Sequence, residues 1–123
     1  MNKSMASKIS TSLIISTYNR SDALELCVKS VLRQSLLPDE IIIADDGSKE
    51  ETGELIHQLA TTSVVPIIHV WHEDLGFRLA TIRNKAIVKA TKEYIIQIDG
   101  DIVLHKDFVK DHVRFAQKGS FVT

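Results

Sequence analysis

A single cysteine, Cys27, is all the thiol chemistry that this sequence of 123 residues holds. It excludes an internal disulfide and a thiolate metal cluster, and it fits a reducing compartment. Glycine is scarce at five residues, and none forms a Gly-x-Gly-x-x-Gly or Walker A loop. Classical NAD binding and phosphate-loop NTPase chemistry are thereby set aside. No Gly-x-Ser-x-Gly elbow occurs, so nucleophilic hydrolysis has no candidate. A surplus of one charge is also missing: 15 basic against 16 acidic residues leave −1. No basic field therefore advertises nucleic acid or an anionic membrane. Nothing approaches the roughly 20 apolar residues of a spanning helix, and Leu13-Ile14-Ile15 is too short for a signal-peptide core. The expectation is a cytoplasmic chain with a flexible N-terminus over residues 1–9, peripheral membrane attachment of a longer protein being left open.

What is present is the balance of one globular domain, with 44% hydrophobic and 25% charged residues. Four short β-branched runs stand out: Ser12 to Ser16, Glu40 to Ala44, Pro66 to Trp71 and Tyr94 to Ile98. The first two are apolar on both faces, as strands are when helices cover both sides of a parallel sheet. Between the runs lie helical periods. Leu24, Cys27, Val28, Val31 and Leu32 make one stripe, with Asp22 as a possible cap and Leu37-Pro38 as the stop. Ser48-Lys49-Glu50-Glu51 reads as a capping box ahead of Leu55, Ile56, Leu59 and Ala60. A third helix, from about Phe77 to Thr91, should bury Leu79, Ile82, Ala86, Ile87 and Ala90. A fourth, from near Lys106, should pack through Phe108, Phe115 and Ala116. The order β-α-β-α-β-α-β-α predicts an α/β, Rossmann-like three-layer sandwich with a mainly parallel sheet. Gly119 to Thr123 read as the start of a further strand.

In such a sheet all strands finish on one edge, and ligands bind outside those carboxyl ends. The four runs finish in Ser16-Thr17-Tyr18-Asn19-Arg20, Asp45-Asp46-Gly47-Ser48, His72-Glu73-Asp74 and Asp99-Gly100-Asp101. Four polar clusters thus point into one crevice, while the opposite edge receives bland turns. Two aspartates flanking Gly100 need a cation between them or a raised pKa. Mg²⁺ and Mn²⁺ suit them, because these ions take one or two carboxylates plus substrate phosphates; a solvated turn is the plainer alternative. At Asp45-Asp46 turn chemistry uses one carboxylate and leaves the other for a ligand. Arg83 falls inside the stripe that should be buried, where a guanidinium needs a partner. That partner is Asp99 or Asp46, or an anionic ligand. The histidines read more weakly: His69 and His72 diverge, His105 solvates a loop and His112 is a hydrogen-bonded core residue. Trp71 and Tyr94 read as packing residues.

The segments Ser12 to Arg20, Ile43 to Ser48, Arg83-Asn84 and Ile98 to Asp101, in that order and spacing, resemble the nucleotide-sugar-binding half of the family 2 glycosyltransferases, which have the GT-A fold. The resemblance covers about Ser10 to Gln117. Leu75-Gly76-Phe77-Arg78-Leu79-Ala80 leading into Arg83-Asn84 is similar to bacterial members related to chondroitin- and galactosyl-polymerising enzymes. The resemblance implies that Thr17 and Tyr18 border nucleobase and ribose, with Asn19 and Arg20 shaping the loop. It implies that Asp46 bonds the base, uracil, and that Arg83 lies near the diphosphate or orients the acidic residues. Asp99 would approach the ribose and the metal shell, and Asp101, in the Asp-x-Asp motif, would ligate Mn²⁺ or Mg²⁺. A cation there stabilises the diphosphate leaving group of a UDP-sugar as an inverting transfer proceeds to a glycan or lipid-linked acceptor. In this family the general base comes after the Asp-x-Asp strand, so none is assigned before Thr123. The chain is expected to be the donor-binding part, a truncated fold over residues 10–123 that binds nucleotide without transferring sugar. A second copy could cover its edge. The alternatives are a phospho-accepting receiver-type domain, whose acidic pair would follow the first strand rather than the second, and a non-catalytic α/β interaction module.

Overall fold

Residues 9–117 are described by the computed structural model; the stretch read as a further strand, Gly119 to Thr123, lies outside the described residues. So does most of the N-terminal stretch, although Ile9 is half-buried and packs against the core. Strand β1, Thr11–Thr17, and strand β2, Glu40–Asp45, are buried along their whole length. Alternation along them sorts side chains to two faces. Leu13 and Ile15 of β1 join Ile41 and Ile43 of β2 in one cluster, and Ile14 joins Ile42 and Ala44 in the other. Each fully buried aliphatic side chain contributes about 1.5–3 kcal/mol, so this double covering is the main source of cohesion.

Helices α1 (Ser21–Leu32) and α2 (Glu50–Thr62) face the first cluster, and α4 (Phe108–Gln117) closes it through Val109 and Val113. Helix α3 (Leu79–Lys89) faces the second through Ile82 and Ala86. Strands β3 (Ile67–Trp71) and β4 (Tyr94–Asp99) complete a four-stranded parallel sheet in the order β3-β2-β1-β4. The chain steps outward from β1 to β3, then returns through α3 to place β4 on the other side of β1. The strand order therefore reverses between β1 and β4, the position at which open α/β sheets hold ligands.

Several local expectations are corrected. Helix α1 begins at Ser21 with Arg20 in the cap position and no side-chain cap, so Asp22 lies in its first turn. It ends at Leu32, ahead of Pro38. Helix α2 begins at Glu50, and Ser48 does not cap it. The Ser48 hydroxyl instead accepts the backbone N–H of Asn19 at 2.8 Å. In α3, Ile87 is exposed, and in α4 Phe115 is exposed where Val109 and Val113 are buried. Trp71 stands half out of the outer edge of the sheet, its indole N–H donating to the Ser48 carbonyl at 3.1 Å.

At the amino edge Glu40 is a buried carboxylate that ties three segments together. Its Oε2 accepts from the Ser12 hydroxyl at 2.6 Å and from the Thr91 N–H at 2.9 Å, and its Oε1 accepts the Thr91 hydroxyl at 3.1 Å. Burial pushes its pKa up, but these bonds outweigh it and hold the group below its ordinary 4.5. A depressed folded-state pKa gives stability that is present above the unfolded value and lost as pH falls through the folded one. Glu40→Ala should cost about 2–3 kcal/mol in urea unfolding at neutral pH. The same variant should lose less stability than the parent chain on acidification through the carboxylate range; an unchanged acid sensitivity would contradict this role.

Candidate functional site

The crevice forms where β1 and β4 end together. Ser16 pairs with Asp99 across the ladder, and the Gly100 N–H donates to the Ser16 carbonyl at 2.7 Å. A Cβ on Gly100 would lie 2.7 Å from that same oxygen, so only glycine lets the acidic loop run this close to β1. The resulting pocket of about 220 Å³ is lined by Ser16 and Thr17 at the end of β1 and Tyr18 just after it, by Asp46 after β2, and by Asp99 at the end of β4 with Gly100 and Asp101 following. Phe77 and Leu79 close its side, and Arg20 also lines it. A smaller annex of about 120 Å³ continues between Tyr18, Asp46, Asp74, Gly76 and Phe77.

Of the residues singled out in the sequence, Thr17, Tyr18, Asp46, Asp99 and Asp101 meet in this crevice. Thr17 is buried, and its hydroxyl oxygen has no hydrogen-bond partner among the described residues. Burial of a polar atom without a bond is costly, which sets this side chain apart from its neighbours in the lining. The Tyr18 hydroxyl donates to Asp74 at 2.7 Å, and Asp74 also accepts the Gly76 N–H at 3.2 Å. This strap joins the loop after β1 to the loop after β3 across the mouth. The hydrogen bond to Asp74, and then its charge, push the Tyr18 pKa up; the bond from Tyr18 and then that from Gly76 hold the Asp74 carboxyl low.

Asn19 is placed differently. It adopts a left-handed φ of 47°, and besides its N–H bond to Ser48 its Oδ1 accepts the Lys49 N–H at 2.8 Å. It splices the β1 and β2 loops rather than lining the crevice. Arg83 also lies outside the lining and reaches it through Asp99, whose Oδ1 accepts from the guanidinium at 2.9 Å and from the Ser16 hydroxyl at 3.2 Å. Both partners are partly exposed, so this pair orients Asp99 more than it stabilises the fold. Asp101 is exposed and makes no hydrogen bond or ion pair with the described residues. Beneath the loop, the Cys27 thiol faces the Asp99 carbonyl at 3.9 Å. Burial, and then the Asp101 charge, push its pKa to about 11, which leaves it un-ionised and unreactive at neutral pH.

Both carboxylates of Asp45-Asp46 are engaged within the fold, and of the two only Asp46 lines the crevice. Asp45 accepts the Ser48 N–H at 2.8 Å on Oδ1 and meets His69 Nε2 at 2.8 Å on Oδ2. Asp46 meets His72 Nε2 at 2.6 Å on Oδ1 and accepts the Arg78 N–H at 2.9 Å on Oδ2. The two histidines were the missed residues. They do diverge, but each diverges toward one of two adjacent aspartates that themselves point opposite ways. Parallel register was the available signal: Asp45 lies opposite Trp71, which sets Asp46 beside His72. A larger concavity of about 790 Å³ runs along α2 and β3 past His57, His69 and Trp71. It contains neither Asp46 nor the Asp99-Gly100-Asp101 loop.

Metal chemistry is constrained by this donor set. Among the described residues no group of three or more His, Cys, Asp or Glu is arranged to hold an ion by itself. Asp99 and Asp101 are hard oxygen donors, fitting a Mg²⁺ or Mn²⁺ ion whose remaining ligands come from phosphate and water.

Against known proteins, residues 12–123 match the family model for glycosyl transferase family 2. Chondroitin synthase of Escherichia coli is 31% identical over 103 residues, covering 83% of this chain and 15% of that protein. Among solved structures, S. aureus TarS 1-349 in complex with UDP superposes with a TM-score of 0.72 at 22% identity, over 89% of this chain and 32% of that one. The mannosyltransferase PcManGT of Pyrobaculum calidifontis, in complex with GDP-Man and Mn²⁺, gives 0.77 at 23%, over 87% and 32%. The chain thus spans less than a third of the length of these proteins. The two structural likenesses establish a GT-A type of α/β fold, and the family match replaces the receiver and interaction-module alternatives. The chain belongs to glycosyl transferase family 2.

Proposed function

We propose that this chain is the donor-binding part of a metal-dependent, inverting glycosyltransferase that uses a UDP-sugar and serves a glycan or lipid-linked acceptor. The observation that carries the reading is the convergence of Thr17, Tyr18, Asp46, Asp99 and Asp101 on one crevice at the strand-order reversal. The unpaired Thr17 hydroxyl supports it. Tyr18 and Phe77 supply aromatic surface for the nucleobase and ribose, and Asp46, an acceptor only, selects a base edge that offers an N–H. Uracil and guanine both do, in keeping with the UDP and GDP-Man held by the two solved relatives. Asp99 and Asp101 hold the cation, with Arg83 fixing Asp99 and lending positive charge near the diphosphate. When bound, the cation neutralises the charge that develops on the leaving diphosphate. The residues of the chain bind and orient the donor; the acceptor and the general base belong to sequence after the Asp99-Gly100-Asp101 loop.

Calorimetric titration of the chain with UDP, run with and without Mn²⁺, tests this reading. Binding is expected only when metal and nucleotide are both present. Equal heats without metal would refute the cation's role, and no binding in either condition would refute the nucleotide site.

A further inference from the structure

The Asp46 carboxylate in the crevice is linked through His72 to Lys85 on α3. The Lys85 ammonium lies 3.2 Å from His72 Nδ1, His72 Nε2 lies 2.6 Å from Asp46 Oδ1, and the Arg78 N–H donates to Asp46 Oδ2 at 2.9 Å. His72 and Asp46 are buried, and Lys85 is exposed. The roles along the chain follow from what each group can do. An ammonium has donors only, so Nδ1 must be an acceptor. The imidazole proton then sits on Nε2 and is donated to Asp46. Asp46 accepts on both oxygens, as an ionised carboxylate does, and keeps roughly two of its four lone-pair positions. The residue is almost wholly buried yet lines both the crevice and its annex. Those remaining lone pairs are its only outlet.

We infer that His72, with its tautomer fixed by Lys85, is a positioning residue that aims the Asp46 carboxylate at the base of the bound nucleotide and so sets base selectivity. The inference rests on the nucleotide reading above. Without His72 the carboxylate would keep only the Arg78 bond and could turn about its side-chain torsions. Its orientation is what a base N–H reads, whereas the phosphates and the cation are held elsewhere, at Asp99 and Asp101. The role is therefore separable from donor binding in general. Glutamine at position 72 can place an amide N–H where Nε2–H stands and needs no tautomer.

The test compares two probes on the 123-residue chain, UDP with Mn²⁺ and inorganic pyrophosphate with Mn²⁺. His72→Ala should weaken UDP about tenfold, the scale of one hydrogen bond of about 1–1.5 kcal/mol, and leave pyrophosphate unchanged. His72→Gln should restore most of the UDP affinity. An unchanged UDP affinity in His72→Ala would overturn the inference, and so would an equal fall for both probes, which marks a general loss of structure. Should the alanine variant not fold, the nitrogen shifts of the His72 ring in the parent chain decide independently. A protonated Nε2 and a bare Nδ1 are expected, with loss of that pattern in Lys85→Met, and a protonated Nδ1 would overturn the relay. Failure of the parent chain to bind UDP would refute the nucleotide reading, while the ring tautomer would still report on the Lys85–His72–Asp46 chain by itself.

Discussion

Asp101→Ala is expected to lower the affinity for UDP in the presence of Mn²⁺ by at least about a hundredfold. Loss of an outer partner of a metal ligand costs about 10–100-fold, so loss of a direct ligand lies at or beyond the upper end. In free energy this is about 2.8 kcal/mol, at 1.4 kcal/mol per decade. The fold has no stake in this side chain, because Asp101 is exposed and bonded to none of the described residues. Its stability should therefore stay within about 0.5 kcal/mol of the parent, as for ordinary surface changes. The contrast with Asp99 is instructive. Asp99 is tied to Arg83 and Ser16, so its removal also frees a guanidinium and takes one of two acceptors from the Ser16 hydroxyl. Asp101 is the cleaner probe. Titration of the variant beside the parent reads the effect, and unchanged UDP–Mn²⁺ affinity would move the metal site elsewhere.

Gly47→Ala should be the most destabilising single-methyl change in the described chain. Gly47 has a φ of +91°, and a Cβ there would lie 2.6 Å from both the Cα and the backbone nitrogen of Asp74. Left-handed strain costs about 1–2 kcal/mol, and forcing backbone apart adds about 1–3 kcal/mol. A total near 3 kcal/mol lowers Tm by about 12 °C, given roughly 2.1 cal/mol/K of unfolding entropy per residue. Gly76 separates the two causes. Its φ is +92°, yet nothing lies within 4 Å of its Cβ position, so Gly76→Ala should show the strain alone, with a Tm loss about half as large. Equal losses for the two variants would remove the close approach of the β2 loop to Asp74 from the account. Because Asp74 also anchors the Tyr18 strap, Gly47→Ala should weaken nucleotide binding as well.

The layer order and the location of the crevice were legible in the sequence because burial leaves a periodic trace. Runs apolar on both faces gave β1 and β2, and the polar residues after each run marked one edge of the sheet. What failed to read were features settled by pairwise competition between neighbours. Ser48 has the right residue type and spacing for a cap, but its hydroxyl is taken by Asn19 from another loop. Phe115 and Ile87 fall on helical stripes, yet they stay exposed while Val109, Val113, Ile82 and Ala86 carry the burial. His69 and His72 looked weak because alternation sends them to opposite faces. Alternation sends Asp45 and Asp46 apart as well, and that second step turns two isolated histidines into two bonded pairs. Asn19, expected to shape its loop, does so through a short amide that serves the backbone of the β2 loop.

Under the proposed function, nucleotide and cation share the crevice between β1 and β4 rather than the larger groove beside β3. Amide spectra of the isotopically labelled chain, recorded with UDP and Mg²⁺ and then with Mn²⁺ in its place, test this most directly. The prediction is that UDP–Mg²⁺ shifts the amides of Thr17, Tyr18, Asp46 and Phe77, and that paramagnetic Mn²⁺ broadens first those of Asp99, Gly100 and Asp101. Shifts and broadening centred on His57, His69 and Trp71, with the Asp99-Gly100-Asp101 loop unaffected, would contradict it.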